Sequence, residues 1–434
     1  MSARTRELFA LIPASLLVTA GFTAVFVQRE DVLTDLSLTY GAIFLGLCFA
    51  AHLVLRMTLK EADPYLFPLV AVLACFGLVM IYRLDEELAR EQAQWFVVGL
   101  GAFAATIVFL RDYRRLENYR YLIAVGSLAL LLLPRVPGIG QQTNGAYLGI
   151  GLGPVTFQPA EFAKIGVVIF LASYLRDTRQ LLVTGGRTVL GIVVPPLKHL
   201  GPLLVIWGGS MVLLVFIRDL GSSLMFFGGF LAIIYVATNR LSFPLIGLTM
   251  FGIGFWFFAS TVGHVQSRID AWRHPFDQSL FERVGGSEQL AQSLFAQADG
   301  GFFGAGFGQA FTTLQGGDIQ FLPAAQTDLI YALITNELGL VGACAVLLVY
   351  LLIAERGFKV AMLARDSFSK LLATGLTAVF ALQVFVIVGG VTKVIPLTGV
   401  TLPFVSYGGS SIVANFVLLA LLLCVSDKAR REIT

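Results

Sequence analysis

A glutamate and a lysine three positions apart, Glu161 and Lys164, stand in Gln158-Pro159-Ala-Glu-Phe-Ala-Lys164 at the mouth of an apolar stretch. On a helix that spacing puts both side chains on one face, where they can pair. Pro159 suits a first turn, and Glu161 complements the positive end of the helix dipole. Ionised groups inside an apolar span either tie helices together or serve a charged substrate. The residues alone leave both readings open.

Other ionisable groups sit at the edges of apolar runs. Asp219 follows Arg218 in Arg-Asp-Leu-Gly-Ser-Ser, where a solvated pair and a site residue fit equally. Asp328 and Glu337 lie nine positions apart, two and a half helical turns, and so face different ways. Glu337 should lie well inside the span and needs a partner. Lys393, near the end of another run, can serve a phosphate or a carboxylate. Between two runs lie Asp270, His274, Asp277, Glu282, Glu288 and Asp299, among which residue type does not choose.

Glycine marks two further places. Gly300-Gly-Phe-Phe-Gly-Ala-Gly-Phe-Gly308 cannot be a stable helix. It offers close backbone approach and amides for an anion, or simply a flexible loop. Pro403-Phe-Val-Ser406-Tyr-Gly408-Gly409-Ser-Ser411 reads as a re-entrant turn into the last apolar run.

The elements that must hold these residues are membrane helices. Of 434 residues 57% are hydrophobic and only 13% charged, with mean hydropathy +0.82. Charged residues are too few to coat a water-facing surface, since soluble domains carry about 25%. Apolar runs near the roughly 20 residues a helix needs fall at 8–28, 36–55, 64–82, 93–110, 119–136, 161–176, 200–217, 221–238, 242–262, 328–354, 371–391 and 409–426. The fold class is an all-α polytopic membrane protein of about twelve spans. With the N-terminus inside, twenty of the 30 Lys and Arg fall in inner segments and nine in outer ones, with Lys164 inside a span. This asymmetry supports the parity and puts both termini in the cytoplasm. Residues 188–204, broken by Pro195, Pro196 and two glycines, read as an interfacial segment. Two outer loops are long, Pro137 to Ala160 and about 263–327. The larger contains Trp272 and several Phe, which argues against disorder and for function.

The four cysteines (Cys48, Cys75, Cys344, Cys424) lie in apolar runs and read as small buried hydrophobes. No Cys/His cluster has zinc spacing. The absence of an internal repeat weighs against inverted-repeat transporters.

Five motifs then converge. Gln158-Pro-Ala-Glu-Phe-Ala-Lys164, Asp219-Leu-Gly, the Gly300–Gly308 run, Thr327-Asp-Leu-Ile with Glu337-Leu-Gly-Leu-Val-Gly342, and the stretch from Ile395 to Ser411 resemble the SEDS family, FtsW/RodA/SpoVE, in the family's order over about residues 64 to 427. The family core has ten spans. The resemblance therefore implies residues 1–60 as a two-helix addition, of the kind seen in actinobacterial-type members, ahead of a core at 61–434. It further implies a peptidoglycan glycosyltransferase of the bacterial plasma membrane that polymerises lipid II at the outer face. The competing readings are a flippase for the same lipid and a non-catalytic scaffold. A class B penicillin-binding protein is the implied partner, and nucleic acid is not. No cofactor is implied, and a divalent cation is left open.

By the same resemblance a carboxylate of the outer loop is the general base. Aligning on Trp272 and Pro275 gives Asp277, and aligning on Gln289 gives Glu282; Asp277 is taken, with Glu282 second. Glu161, Lys164, Asp219, Lys393, Ser406, Gly408 and Gly409 are implied in substrate binding, and Gln158, Pro159, Asp328 and Glu337 in structure or coupling. The chain departs from the family's pattern around Asp277, at Asn144-Gly-Ala-Tyr, and at Asn336, where Glu is common.

Overall fold

The computed structural model describes residues 2–28, 36–110, 112–143, 146–152, 155–184, 187–189, 192–194, 201, 205, 207–212, 219–281, 286–310 and 322–433. Its helices are α1 (Ala3–Ala10), α2 (Ile12–Gln28), α3 (Leu36–Thr58), α4 (Leu66–Leu84), α5 (Glu86–Phe109), α6 (Arg120–Leu132) and α7 (Pro159–Thr184). Then come α8 (Leu220–Thr238), α9 (Ser242–Thr261), α10 (Gly263–Arg273), α11 (Gln278–Phe281), α12 (Glu288–Gly300), α13 (Ile330–Leu363), α14 (Ser367–Val391) and α15 (Gly409–Arg431). Caps explain several ends. Asp85 accepts from the amides of Glu87 and Leu88 at 2.7 and 3.0 Å and starts α5. Asn239, with φ +52°, stops α8. Lys428, Arg430 and Arg431 favour the negative end of α15.

Among the described residues ten helices are long and apolar enough to cross a membrane. The sixth expected span coincides with α7, which is helical as expected but carries Glu161, Lys164, Arg176, Asp177 and Arg179. Of the expected span at 200–217, only 201, 205 and 207–212 are described, all helical.

Two stretches hold strands that the apolar pattern did not indicate. The outer loop after α6 holds a three-stranded antiparallel sheet: β1 (Gly140–Thr143), β2 (Ala146–Leu152) and β3 (Val155–Phe157). Ile150 pairs with Gly140 on one side and Phe157 on the other. Glycine is a poor helix former, so the backbone groups of this glycine-rich segment find partners in a ladder instead. Residues 187–194 form a hairpin of β4 (Arg187–Val189) and β5 (Ile192–Val194). One cysteine also departs from expectation: Cys344 is exposed, while the other three are buried.

The chain divides into two compact units. The first comprises residues 1–111, 270–356 and 387–434. Its core centres on Phe416, whose ring meets Phe404, Phe96 and Phe103 at centroid distances of 5.1, 5.4 and 6.2 Å. Gly99 admits that ring against α5. Phe22 of α2 packs on Tyr82 of α4 at 5.3 Å, and Phe44 of α3 stacks on Phe96 at 4.7 Å. The N-terminal helices therefore lean on α4 and α5. A buried Arg4–Glu7–His52 cluster closes one end of them, with the guanidinium also reaching the Ala62 carbonyl.

The second unit comprises residues 112–269 and 357–386. Small residues let its helices approach closely, as lipid-embedded packing favours. Gly166 of α7 faces Ser127 of α6, and Gly375 of α14 faces Ile233 of α8 and Val168 of α7. Phe227 of α8 stacks on Phe251 of α9 at 4.3 Å.

Candidate active site

Asp277 stands at the turn between α10 and α11. Its Oδ1 accepts from the Ser279 amide at 2.9 Å and caps the four-residue α11. The residue is exposed, as are His274 and Phe276 beside it. Glu282 lies outside the described residues. The base of this loop is fixed to the end of α14. The Trp272 indole N–H donates to the Lys393 carbonyl at 3.0 Å. Ser293 and Gln297 of α12 donate to the Val391 carbonyl at 3.1 and 2.9 Å. Lys393 itself is half-buried, with the left-handed φ of +62°. Helices α10 and α12, which lie on either side of Asp277 in the chain, thus share one support with Lys393.

The glycine run is a cap for a broken helix, and this corrects its reading as an anion site or a flexible loop. Helix α13 is interrupted at Gly339, with φ +66° and ψ −172°. The interruption strands two carbonyls and two amides, which lipid cannot satisfy. Ala305 and Gly306 donate to the carbonyls of Asn336 and Glu337 at 2.9 and 3.1 Å. Leu340 and Val341 donate to those of Gly301 and Phe302 at 2.9 and 3.2 Å. Such approach requires glycine: a Cβ on Gly304 would strike the Glu337 carbonyl, and one on Gly339 the Phe302 carbonyl. Asn336 donates from Nδ2 to the Ala296 carbonyl at 2.8 Å and joins α12 to α13.

Glu337 is fully buried and does have its partner, Arg83 at the end of α4, at 2.6 Å. Asp328 precedes α13, with its carboxylate against Gly399. The turn before α15 is equally engaged. Ser406 Oγ accepts from the Leu402 amide at 2.9 Å and donates to the Thr327 carbonyl at 2.6 Å. Gln92 of α5 spans the turn, donating to the Ser406 carbonyl at 3.1 Å and accepting from the Gly408 amide at 3.2 Å. Gly409 lies flat on the Trp95 ring, which no Cβ would allow. The Tyr407 hydroxyl meets Glu91. Burial, and then that carboxylate, push the Tyr407 phenol up, so it stays a neutral donor.

In the second unit, Glu161 and Lys164 pair as the spacing implies, at 2.6 Å and nearly buried. Lys164 also donates to Gln383 Oε1 of α14 at 2.7 Å. Pro159 is the first residue of α7, and the Gln158 carbonyl accepts from the Glu161 amide at 3.3 Å. Asp219 caps α8 through the Ser222 amide at 2.9 Å; Arg218 lies outside the described residues. Arg83 as the mate of Glu337, Gln92 and Gln383 were not singled out from sequence. The available signal was a glutamine or an arginine inside or beside an apolar run. Among the described residues no group of three or more His, Cys, Asp and Glu is placed to hold a metal ion.

An exposed carboxylate can take a proton from a bound hydroxyl, and a lysine on the same support can face an anion. Comparison with known proteins gives the family. Residues 64–431 match the model of FTSW_RODA_SPOVE, described as cell cycle protein. The peptidoglycan glycosyltransferase RodA of Mycobacterium tuberculosis (strain ATCC 25618 / H37Rv) is 41% identical, over 99% of this chain and 92% of that protein. The stage V sporulation protein E of Bacillus subtilis (strain 168) is 31% identical, over 86% of this chain and all of that one. A structure titled for the coordination of polymerization and crosslinking by a peptidoglycan synthase complex has TM-score 0.67 and 26% identity, covering 85% of this chain and 98% of that one. The crystal structure of Thermus thermophilus rod shape determining protein RodA has TM-score 0.58 and 27% identity, covering 86% and 97%.

Proposed function

The chain belongs to the FtsW/RodA/SpoVE cell cycle protein family, and from that premise we propose that Asp277 is the general base of a lipid II polymerase. The chain is a RodA-like peptidoglycan glycosyltransferase and a multi-pass protein of the plasma membrane. In the proposed step the Asp277 carboxylate takes the proton of the acceptor sugar hydroxyl. The hydroxyl oxygen attacks the anomeric carbon of the growing strand, and the bond to undecaprenyl pyrophosphate breaks. The diphosphate leaves with the bonding electron pair. Lys393, tied through its carbonyl to Trp272 beside Asp277, is the cation offered to that charge. The observation that carries the reading is the exposure of Asp277 on a loop pinned through Trp272 to the Lys393 turn.

Several finer assignments follow. The family match starts at residue 64, which supports residues 1–60 as an addition to the core at 61–434. Ser406, Gly408 and Gly409 are proposed to shape the substrate surface through their turn, since Ser406 and Gly408 already have hydrogen-bond partners and Gly409 packs on Trp95. A class B penicillin-binding protein is the proposed partner. The similar solved complex couples polymerization to crosslinking, which supports it. The step as written uses no cofactor, and polymerisation with and without EDTA tests the place of a divalent cation.

The deciding experiment is lipid II polymerisation by the purified protein with its penicillin-binding protein, comparing wild type, Asp277→Ala and Glu282→Ala. Product lost only in Asp277→Ala is the expected result. Loss only in Glu282→Ala would move the base along the loop.

A further inference from the structure

Phe302 and Phe303 are 69% and 84% exposed. Two bare phenyl rings on an outer loop would be a liability in water, where each forfeits about 1.5–3 kcal/mol of burial. The backbone beneath them cannot turn them inward. It is held by the four hydrogen bonds to residues 336–341 and by close contacts with Gly339. Beside them on α13, Leu340 and Val341 are 47% and 55% exposed. The Val341 amide donates to the Phe302 carbonyl. Four apolar side chains from two distant segments thus crowd around one short stretch of backbone.

The sequence of α13 sets the depth of that stretch. Leu338 to Ala354 carries no charged residue and is bounded by Glu337 and by Glu355 with Arg356. Its 17 residues rise about 26 Å, close to the ~30 Å of a hydrocarbon core. Leu340 and Val341 then enter hydrocarbon at the end remote from Arg356, and the phenyls of the turn stand at the same level.

We propose that the Gly300–Gly308 turn is a membrane wedge. Phe302 and Phe303 insert into the boundary between headgroups and acyl chains of the leaflet on the Asp277 side, and hold the large loop against the lipid surface. The occupant is the bilayer itself, because the surface continues the exposed face of a spanning helix. Residues 300–310 also carry no charge for a polar partner to meet. Side chains of this type enter that boundary by about 5–10 Å in interfacial elements. The proposal rests on the membrane-spanning reading and not on the reaction, so its failure would leave the polymerase intact.

A nitroxide on Phe303→Cys in the Cys344→Ser background tests it, since the remaining cysteines are buried. The labelled protein is placed in vesicles of phosphatidylcholine and phosphatidylglycerol. Collision rates with oxygen and with a water-soluble nickel chelate are then measured. The same label on Gln278→Cys, an exposed residue of α11, is the aqueous reference. The oxygen-to-nickel ratio at Phe303→Cys should exceed the reference by at least about threefold, as for a site below the headgroups. A ratio equal to the reference would overturn the wedge. So would a label shielded from both reagents, which would mean that protein covers the turn. Phe302→Cys serves the same purpose if the first variant does not fold.

Discussion

Nη1 of Arg83 lies 2.6 Å from Oε1 of Glu337, and Nη2 of the same guanidinium donates to the carbonyls of Gly308 and Ala310 at 3.0 and 3.1 Å. One side chain from the end of α4 therefore holds both the first segment of the broken α13 and the exit of the turn that caps it. Glu337 is fully buried, so its charge depends on Arg83.

Removing only the arginine strands that charge. Arg83→Ala should destabilise by about 3–5 kcal/mol, the cost of breaking a buried pair from one side. Arg83→Ala with Glu337→Gln should cost less than Arg83→Ala alone. Thermal unfolding in detergent measures both, and a double variant worse than the single would show that the charge was not the issue.

The glycines of the cap should rank by contact. Gly304→Ala and Gly339→Ala combine φ values of +86° and +66° with a Cβ driven into backbone, and should abolish folded protein or lower Tm steeply. Gly301→Ala also has a positive φ, +52°, but meets open space, and should cost less than either. Equal effects at all three would refute the close-approach account.

The Glu161–Lys164–Gln383 set separates stability from activity. Lys164→Met leaves Glu161 buried without its cation and should cost about 3–5 kcal/mol. Adding Glu161→Gln should restore much of the stability. Polymerisation should stay low in the double variant if the pair meets the diphosphate, and should return with stability if the pair only joins α7 to α14.

At the start of α14 the sign of a pH effect can be worked out. Partial burial pushes the Asp366 carboxyl up, but the hydrogen bonds from Ser369 and from Arg114, with the Arg114 charge, outweigh it. Its pKa lies below the ordinary carboxylate range. The contact therefore stabilises the fold fully above the unfolded pKa, and that part is lost as pH falls through the folded one. Asp366→Asn should flatten the acid limb of a stability profile and lower stability at neutral pH by about 0.5–1 kcal/mol, since the pair is partly solvated. An unchanged acid limb would count against it.

Much was legible from the chain because hydrocarbon is a demanding solvent. A run of about 20 apolar residues has few alternatives to a helix. The Glu161–Lys164 pair was legible for the same kind of reason: i, i+3 neighbours on a helix meet wherever the helix goes. Gln383 and Gln92 were not. Gln383 looks like one polar residue in an apolar run and Gln92 like one of several at the polar start of a helix, and only the packing of α14 on α7, or of the turn before α15 on α5, gives each a partner.

The sequence by itself determined that this is a helical membrane protein, which spans it has among most of its length, which family it resembles and which short-range pairs form. Those properties depend on composition, periodicity and local spacing. Tertiary structure alone decided that Gly300–Gly308 caps a broken helix, that Arg83 neutralises Glu337 and that Trp272 ties the Asp277 loop to Lys393. A stranded backbone group or buried charge must find a partner, but nothing local says where along the chain that partner lies.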